Sequence, residues 1–138
     1  MAYWLLKTEP DVFGWDAQAK RGAKGEPWSG VRNAQARINL RAMKKGDLAF
    51  FYHTGDEKSV VGIVKVIKEA YPDLTSGDEG WVMVDVAAVE PLKAPVTLAA
   101  IRKEASLADM ALVRNTRLSV QPVTAAEWKI IHKMGGLK

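Results

Sequence analysis

Residues 46–70 read GDLAFFYHTGDEKSVVGIVKVIKEA. Leu48 to His53 is an unbroken aromatic and aliphatic run. Ser59 to Ala70 carries Val60, Val61, Ile63, Val64, Val66 and Ile67. Both segments are rich in the residue types that suit a pleated, packed surface. Thr54-Gly55-Asp56-Glu57-Lys58 between them supplies turn chemistry, so the stretch predicts a hairpin. The second strand has apolar residues at consecutive positions. Its side chains therefore point to both faces, as in a sheet covered on both sides or closed on itself.

Working outward, Tyr3 to Thr8 predicts an opening strand that Glu9-Pro10-Asp11 ends, and residues 13–21 predict a short helix. Gly22 to Gly30 holds three glycines and a proline and reads as a loop, with Trp28 inside it. Val31 to Met43 predicts a helix whose apolar side is Val31, Ala34, Ile38 and Ala42, beside a stripe of Asn33, Arg37 and Arg41. Arg32 and Asn39 fall on the opposite flank. Past the hairpin, Tyr71-Pro72-Asp73 opens a polar loop running to Gly80, and Trp81 to Val89 predicts a third long strand that Pro91 to Pro95 punctuates. Thr97 to Glu104 predicts a helix capped by Thr97, and Arg117 to Val123 a strand. Thr124 with Glu127 three residues on forms a capping box for a last helix ended by Gly135-Gly136. Strands in the middle and helices at both ends predict an α+β fold: a small, mixed, mostly antiparallel β-barrel flanked by helices. The 138 residues make one domain, 1–138, with no repeat or linker.

Charge narrows the partner. The net charge is +4, and between Lys20 and Lys45 eight basic residues face one acid, Glu26. Such a surface favours a polyanion. The 31–43 helix carries three arginines and no acid. Either that is a solvated cationic face, or its repulsion is relieved by an anionic ligand. There are five tryptophans but three Phe and three Tyr. Most are expected in the core, whereas one in a Gly/Pro-rich loop, Trp28, is free to stack on a base.

Catalytic signatures are sparse. Without cysteine there is no disulfide, thiolate nucleophile or cysteine-ligated zinc site, and two histidines give no metal-ligand spacing. No phosphate loop or nucleophile elbow occurs. His132 is read as incidental. His53 closes an aromatic strand at a hairpin and is the one candidate for acid–base work. No signal peptide or apolar span of about 20 residues is present, so a soluble, cytoplasmic protein is expected.

Several long motifs carry a resemblance across nearly the whole chain. They are Lys7-Thr8-Glu9-Pro10, Trp28-Ser29-Gly30-Val31-Arg32-Asn33 continuing through Gln35-Ala36-Arg37, Asn39-Leu40-Arg41 and Met43, then Gly46 to His53, and Arg117 to Val123. Together they resemble EVE domains, a PUA-like family related to YTH and ASCH domains. The resemblance implies a PUA-like fold and binding of DNA or RNA carrying a modified base, with no cofactor and no membrane; a monomer is expected. Three positions depart from the family pattern: Ser29 for Asp, Ala34 for an aromatic, and Ile38 for a polar residue.

On this reading a flipped base sits against Trp28, with Trp15 or Tyr52 as a second wall. Asn33, Ser119 and Gln121 offer hydrogen bonds to its edge, and His53 to base or phosphate. Lys7, Arg32, Arg37 and Arg41 take phosphates. Arg117 divides between a phosphate contact and a salt bridge, and Glu9 between a structural and a binding role. The alternatives are an ASCH-like RNA hydrolase using His53, and a small-molecule or protein-interaction domain.

Overall fold

A computed structural model describes residues 1–77 and 79–137. Asp78, in the expected polar loop, and Lys138 lie outside the described residues. In chain order the elements are β1 (Tyr3–Thr8), α1 (Pro10–Phe13), α2 (Trp15–Lys20), β2 (Glu26–Pro27), α3 (Ala34–Ala42), β3 (Leu48–His53) and β4 (Ser59–Pro72). Then come β5 (Val82–Thr97), α4 (Leu98–Lys103), α5 (Ala111–Arg114), β6 (Val120–Val123) and α6 (Ala125–Met134).

The six strands form one sheet in the order β2-β5-β4-β3-β1-β6, with β1 and β3 parallel and every other pair antiparallel. The mixed α+β class stands. Closure into a barrel does not: β2 and β6 are the two edges and do not pair with each other.

Both faces of the sheet are covered, which explains the uninterrupted apolar run of β3. Leu6, Ala49, Phe51, Val64 and Val86 pack on one side with Trp28, Val31 and α3. Leu5, Phe50, Tyr52, Val60 and Ile63 pack on the other with α4, α5 and α6. Trp128 of α6 stacks on Phe50 at 3.9 Å between centroids and on Tyr3 at 4.6 Å. Alternation along β3 thus sends Phe51 and Tyr52 into different cores.

Several expected boundaries moved for identifiable reasons. The helix expected over 13–21 is realised as α2, Trp15–Lys20; Gly14, which is extended (φ −92°, ψ −179°), separates it from α1, which begins earlier at Pro10. The helix over 31–43 begins at Ala34, because Asn33 is its N-cap, its Oδ1 accepting from the Ala36 N–H at 2.9 Å. Its buried face is Ala36, Leu40 and Met43 with Asn39, whereas Ile38 is exposed. Asn39 is buried because both its ends are satisfied: Nδ2 donates to the Val120 carbonyl and Oδ1 accepts from Gln35. Strand β5 runs through Pro91 and Pro95. It pairs with β2 only at Asp85 and Val86, so beyond them its outer edge needs no N–H donors. The expected 117–123 strand is ordered as β6 only from Val120, with Ser119 in a bend before it. The caps at Thr97 and Thr124 form, the latter with a reciprocal Glu127 bond.

Candidate nucleic-acid interface

The Trp28 segment leaves β2 and crosses the end of the sheet. The Trp28 N–H donates to the Val84 carbonyl at 2.7 Å. Its ring meets Phe51 edge-on at 5.6 Å and Phe13 at 6.3 Å. Most of the indole is buried, with 7% of the residue exposed. What remains open lines a cavity of about 270 Å³ with Thr8, Val12, Phe13, Glu26, Pro27 and Ser29. Three elements converge here. Thr8 ends β1, and its hydroxyl donates to the Phe13 carbonyl at 2.9 Å, fixing α1 over the mouth. Glu26 of β2 is held by Arg21 at 3.0 Å. The walls are aromatic at the back and carry a carboxylate and hydroxyls at the rim, a combination suited to a flat polar ring.

His53 lines a neighbouring cavity with Trp15, Lys20 and Glu57, and Val12 is common to both. Trp28 and His53 therefore share Phe51 as a floor (5.6 and 5.8 Å) without lining one cavity. Both ring nitrogens of His53 are engaged. Nε2 accepts from the Trp15 backbone N–H at 3.1 Å, which assigns the proton to Nδ1, and Nδ1–H donates to Glu57 at 3.0 Å. Trp15 lies against the backbone of Gly62, where any Cβ would run into the indole, and meets Phe51 edge-on at 5.3 Å. That close approach is why residue 62 is glycine.

The remaining expected ligand contacts are distributed. Tyr52 is on the opposite face of the sheet, in the other core. Asn33 caps α3. Gln121 is fully buried, its Nε2 donating to the Asn115 and Leu118 carbonyls, and Ser119 does not share a strand face with it.

The three arginines of the 31–43 segment take three different roles. Arg32 pairs with the buried Asp73 at 3.0 Å. Arg37 stacks on Trp81, its guanidinium carbon 4.8 Å from the ring centroid. Arg41 donates to the Gly80 carbonyl at 3.1 Å. All three thus touch the loop between β4 and β5. Asp73 is its anchor. One carboxylate oxygen accepts from the Gly30 N–H and Arg32, the other from the backbone and hydroxyl of Thr75. Burial pushes this carboxyl up. The four hydrogen bonds, from the Thr75 hydroxyl, Gly30, Arg32 and the Thr75 amide, outweigh it and hold the group well below the usual carboxylate range. Gly30 sits at φ +84°, the left-handed turn that presents its N–H to Asp73. Lys7 donates to the Thr116 carbonyl at 2.7 Å on the Tyr52 side, and Arg117 is exposed.

Reading residue types had not singled out Thr8, Val12, Phe13 and Glu26 as cavity walls. Their one sequence signal is that Thr8 and Trp28 both belong to resemblance motifs. Among the described residues no group of three or more His, Cys, Asp or Glu side chains could hold a metal ion. No helix is long and apolar enough to cross a membrane.

Chicken thymocyte nuclear protein 1 is 38% identical over 161 residues, covering 94% of this chain and 66% of that protein. The chain therefore spans about two thirds of that relative's length. A crystal structure from Agrobacterium tumefaciens is 48% identical with a TM-score of 0.97, covering 99% of this chain and 94% of the other. Human THYN1 protein in complex with DNA containing 5-methylcytosine is 32% identical with a TM-score of 0.90, over 100% and 99% of the two chains. A YTH domain of Zygosaccharomyces rouxii shares the fold alone, at 14% identity and a TM-score of 0.59 over 97% and 86%. The EVE domain model matches residues 2–134, and the chain belongs to the EVE domain family.

Proposed function

We propose that this chain is a non-catalytic binding module that takes one flipped, modified base of a nucleic acid into the cavity beside Trp28. The observation that carries the reading is the human relative's complex with DNA containing 5-methylcytosine, on a backbone that superposes over the whole chain. The cavity supplies a physical reason. Unstacking a base costs a few kcal/mol, and contact with aromatic walls returns about 1–3 kcal/mol. A methyl group moved from water onto the Trp28 and Phe13 surfaces adds about 0.8 kcal/mol. Glu26, held by Arg21, is placed to accept from an exocyclic amino group such as the N4 amine of cytosine. Lys20, Arg21 and Lys24, exposed around this end of the sheet, with Arg41 and Arg117, give the sequence-independent attraction to phosphates.

The hydrolase reading draws no support from His53, whose two nitrogens are both occupied in positioning Trp15 and Glu57. Val12 tests the proposal because it stands at the rim, 77% exposed, and contributes little to either core. Fluorescence polarisation with matched oligonucleotides, cytosine or 5-methylcytosine at one position, should show tighter binding of the modified strand. Val12→Asp should abolish that preference while leaving the thermal midpoint unchanged. Equal affinity of the native protein for both strands refutes the proposal.

A further inference from the structure

Across the sheet from Trp28, Lys7, Tyr52, Thr54, Lys58, Arg102 and Thr116 surround an open cavity of about 320 Å³. Its three cations come from three separate elements: β1, the β3–β4 turn and α4. None of them has an ion pair among the described residues, and no acid lines the cavity. Lys7 is positioned rather than free: Nζ donates to the Thr116 carbonyl at 2.7 Å and lies 5.9 Å from the centroid of the Tyr52 ring. That one bond leaves two further N–H donors. The Tyr52 hydroxyl, on a residue 3% exposed, makes no hydrogen bond among the described residues. Arg102 is close enough to act on that hydroxyl electrostatically.

The turn itself is constrained. Lys58 is the one non-glycine residue at positive φ (+42°) among the described residues, a conformation that costs free energy and concentrates at ligand-binding segments. Its carbonyl accepts from the Leu98 N–H at 2.7 Å, and Ser59 pairs with Thr97. These bonds bring the Lys58 turn against the start of α4, the helix that carries Arg102. Burial pulls the Lys7 ammonium below the ordinary lysine value, so the cavity holds positive charge at a cost. An anion removes that cost.

We infer that this cavity is a phosphate-binding site, separate from the Trp28 cavity and suited to a terminal phosphate group. A guanidinium with its fork of donors, two ammonium groups, and the hydroxyls of Tyr52 and Thr116 match the charge and the several acceptor oxygens of a phosphomonoester, while the Thr54 hydroxyl is committed to the Thr8 carbonyl. Lys7 and Thr8 are consecutive on β1 and point to opposite faces, so the two sites lie back to back at the end of that strand. The inference does not depend on the base-binding proposal.

The test is an amide NMR titration of the whole chain with inorganic phosphate, against sodium chloride at matched ionic strength. Saturable shifts are expected at Thr54 to Lys58 and Leu98 to Lys103. Lys58→Gln and Arg102→Gln, both at exposed positions, should each raise the phosphate Kd about tenfold, the loss expected for one charge-assisted contact. Shifts that chloride reproduces, that survive in the double variant, or that fall equally on Lys129 and Lys133 overturn the inference. Unmodified oligonucleotides with a 5′-phosphate or a 5′-hydroxyl locate the source. Tighter binding of the phosphorylated strand assigns the site to nucleic-acid ends. Equal binding, with the inorganic phosphate response intact, assigns it to free phosphate compounds. Cytosine and 5-methylcytosine strands measured alongside keep the failure of either proposal distinct from the other.

Discussion

Asp73→Asn is the most informative single change, because it keeps the shape of the side chain and removes its charge and its capacity to accept four hydrogen bonds. The carboxylate is fully buried. One oxygen faces the Gly30 N–H (2.9 Å) and Arg32 (3.0 Å), the other the Thr75 N–H (2.8 Å) and hydroxyl (2.6 Å). Whichever way the amide is turned, its NH2 group meets a pair of groups that were donating. Facing Thr75, the hydroxyl can rotate to accept but the backbone N–H is stranded. Facing Gly30, the amide strands that N–H and opposes the Arg32 donor; in either orientation the charge that pairs with Arg32 is gone. Each lost neutral bond costs about 1 kcal/mol and a bond to a charged group about 1.5–3 kcal/mol. The sum is about 3 kcal/mol, with the Arg32 share at the lower end because that side chain is 36% exposed. Urea unfolding followed by far-UV circular dichroism measures it. The substitution should also loosen the Gly30 turn and the Trp81 ring, over which both Arg32 (5.7 Å) and Arg37 (4.8 Å) lie, so affinity for a modified oligonucleotide should fall with the native fold retained. A loss of stability below about 1 kcal/mol with unchanged binding would refute the assignment of Asp73 as the anchor between the Trp28 segment and the 73–81 loop.

Acid should act through the same groups. Asp73 is depressed despite its burial, and so is Asp47, where burial is outweighed by hydrogen bonds from the Lys44 amide, the Trp4 indole and the Ala2 amide. Because both folded-state values lie below the unfolded ones, their stabilisation is complete above the ordinary carboxylate range of about 4 and is lost as pH falls through the folded values; urea midpoints should be flat at neutral pH, fall below about pH 4, and fall less steeply in Asp73→Asn. Gly62→Ala drives a methyl into the Trp15 ring and should cost about 1–3 kcal/mol, with faster hydrogen exchange at the Trp15 amide that His53 now holds. Asn33→Ala should lose about 1 kcal/mol as an N-cap and Asn33→Ser should restore it. If capping is the whole role of Asn33, both variants keep the native preference for the modified strand in fluorescence polarisation.

The fold was legible where local chemistry and tertiary packing agree. Strands β1 and β3 end where Glu9-Pro10 and Thr54-Gly55 stop an apolar run, and the Thr124–Glu127 capping box opens α6 as its spacing requires. It was illegible where a distant partner decides. Pro91 and Pro95 read as breaks because no short-range signal says that β5 has an unpaired outer edge there. The buried face of α3 was misread because Asn39, polar by type, is made a core residue by the Val120 carbonyl 81 positions away. Barrel closure depends on whether β2 and β6 meet, which strand count cannot determine.

The site follows the same logic, with consequences for function. By sequence, Arg32, Arg37 and Arg41 were given the same phosphate-binding role, although only Arg37 and Arg41 share a stripe of the helix. Geometry gives the three different loads: Arg32 neutralises a buried carboxylate, Arg37 stacks on Trp81, and Arg41 remains exposed while bonded to Gly80. A cation already paired with a buried acid has less to gain from a phosphate than one that is not. The cations with no ion pair among the described residues therefore carry more of the electrostatic argument, and three of them, Lys7, Lys58 and Arg102, converge across the sheet from Trp28. Charge counting along the chain could not find that cluster, since its members come from β1, the β3–β4 turn and α4. The strand pairing and the Lys58–Leu98 bond bring them together. The salt dependence of nucleic-acid binding should accordingly respond more to Lys58→Gln than to Arg32→Gln if a phosphate occupies that cavity in the complex.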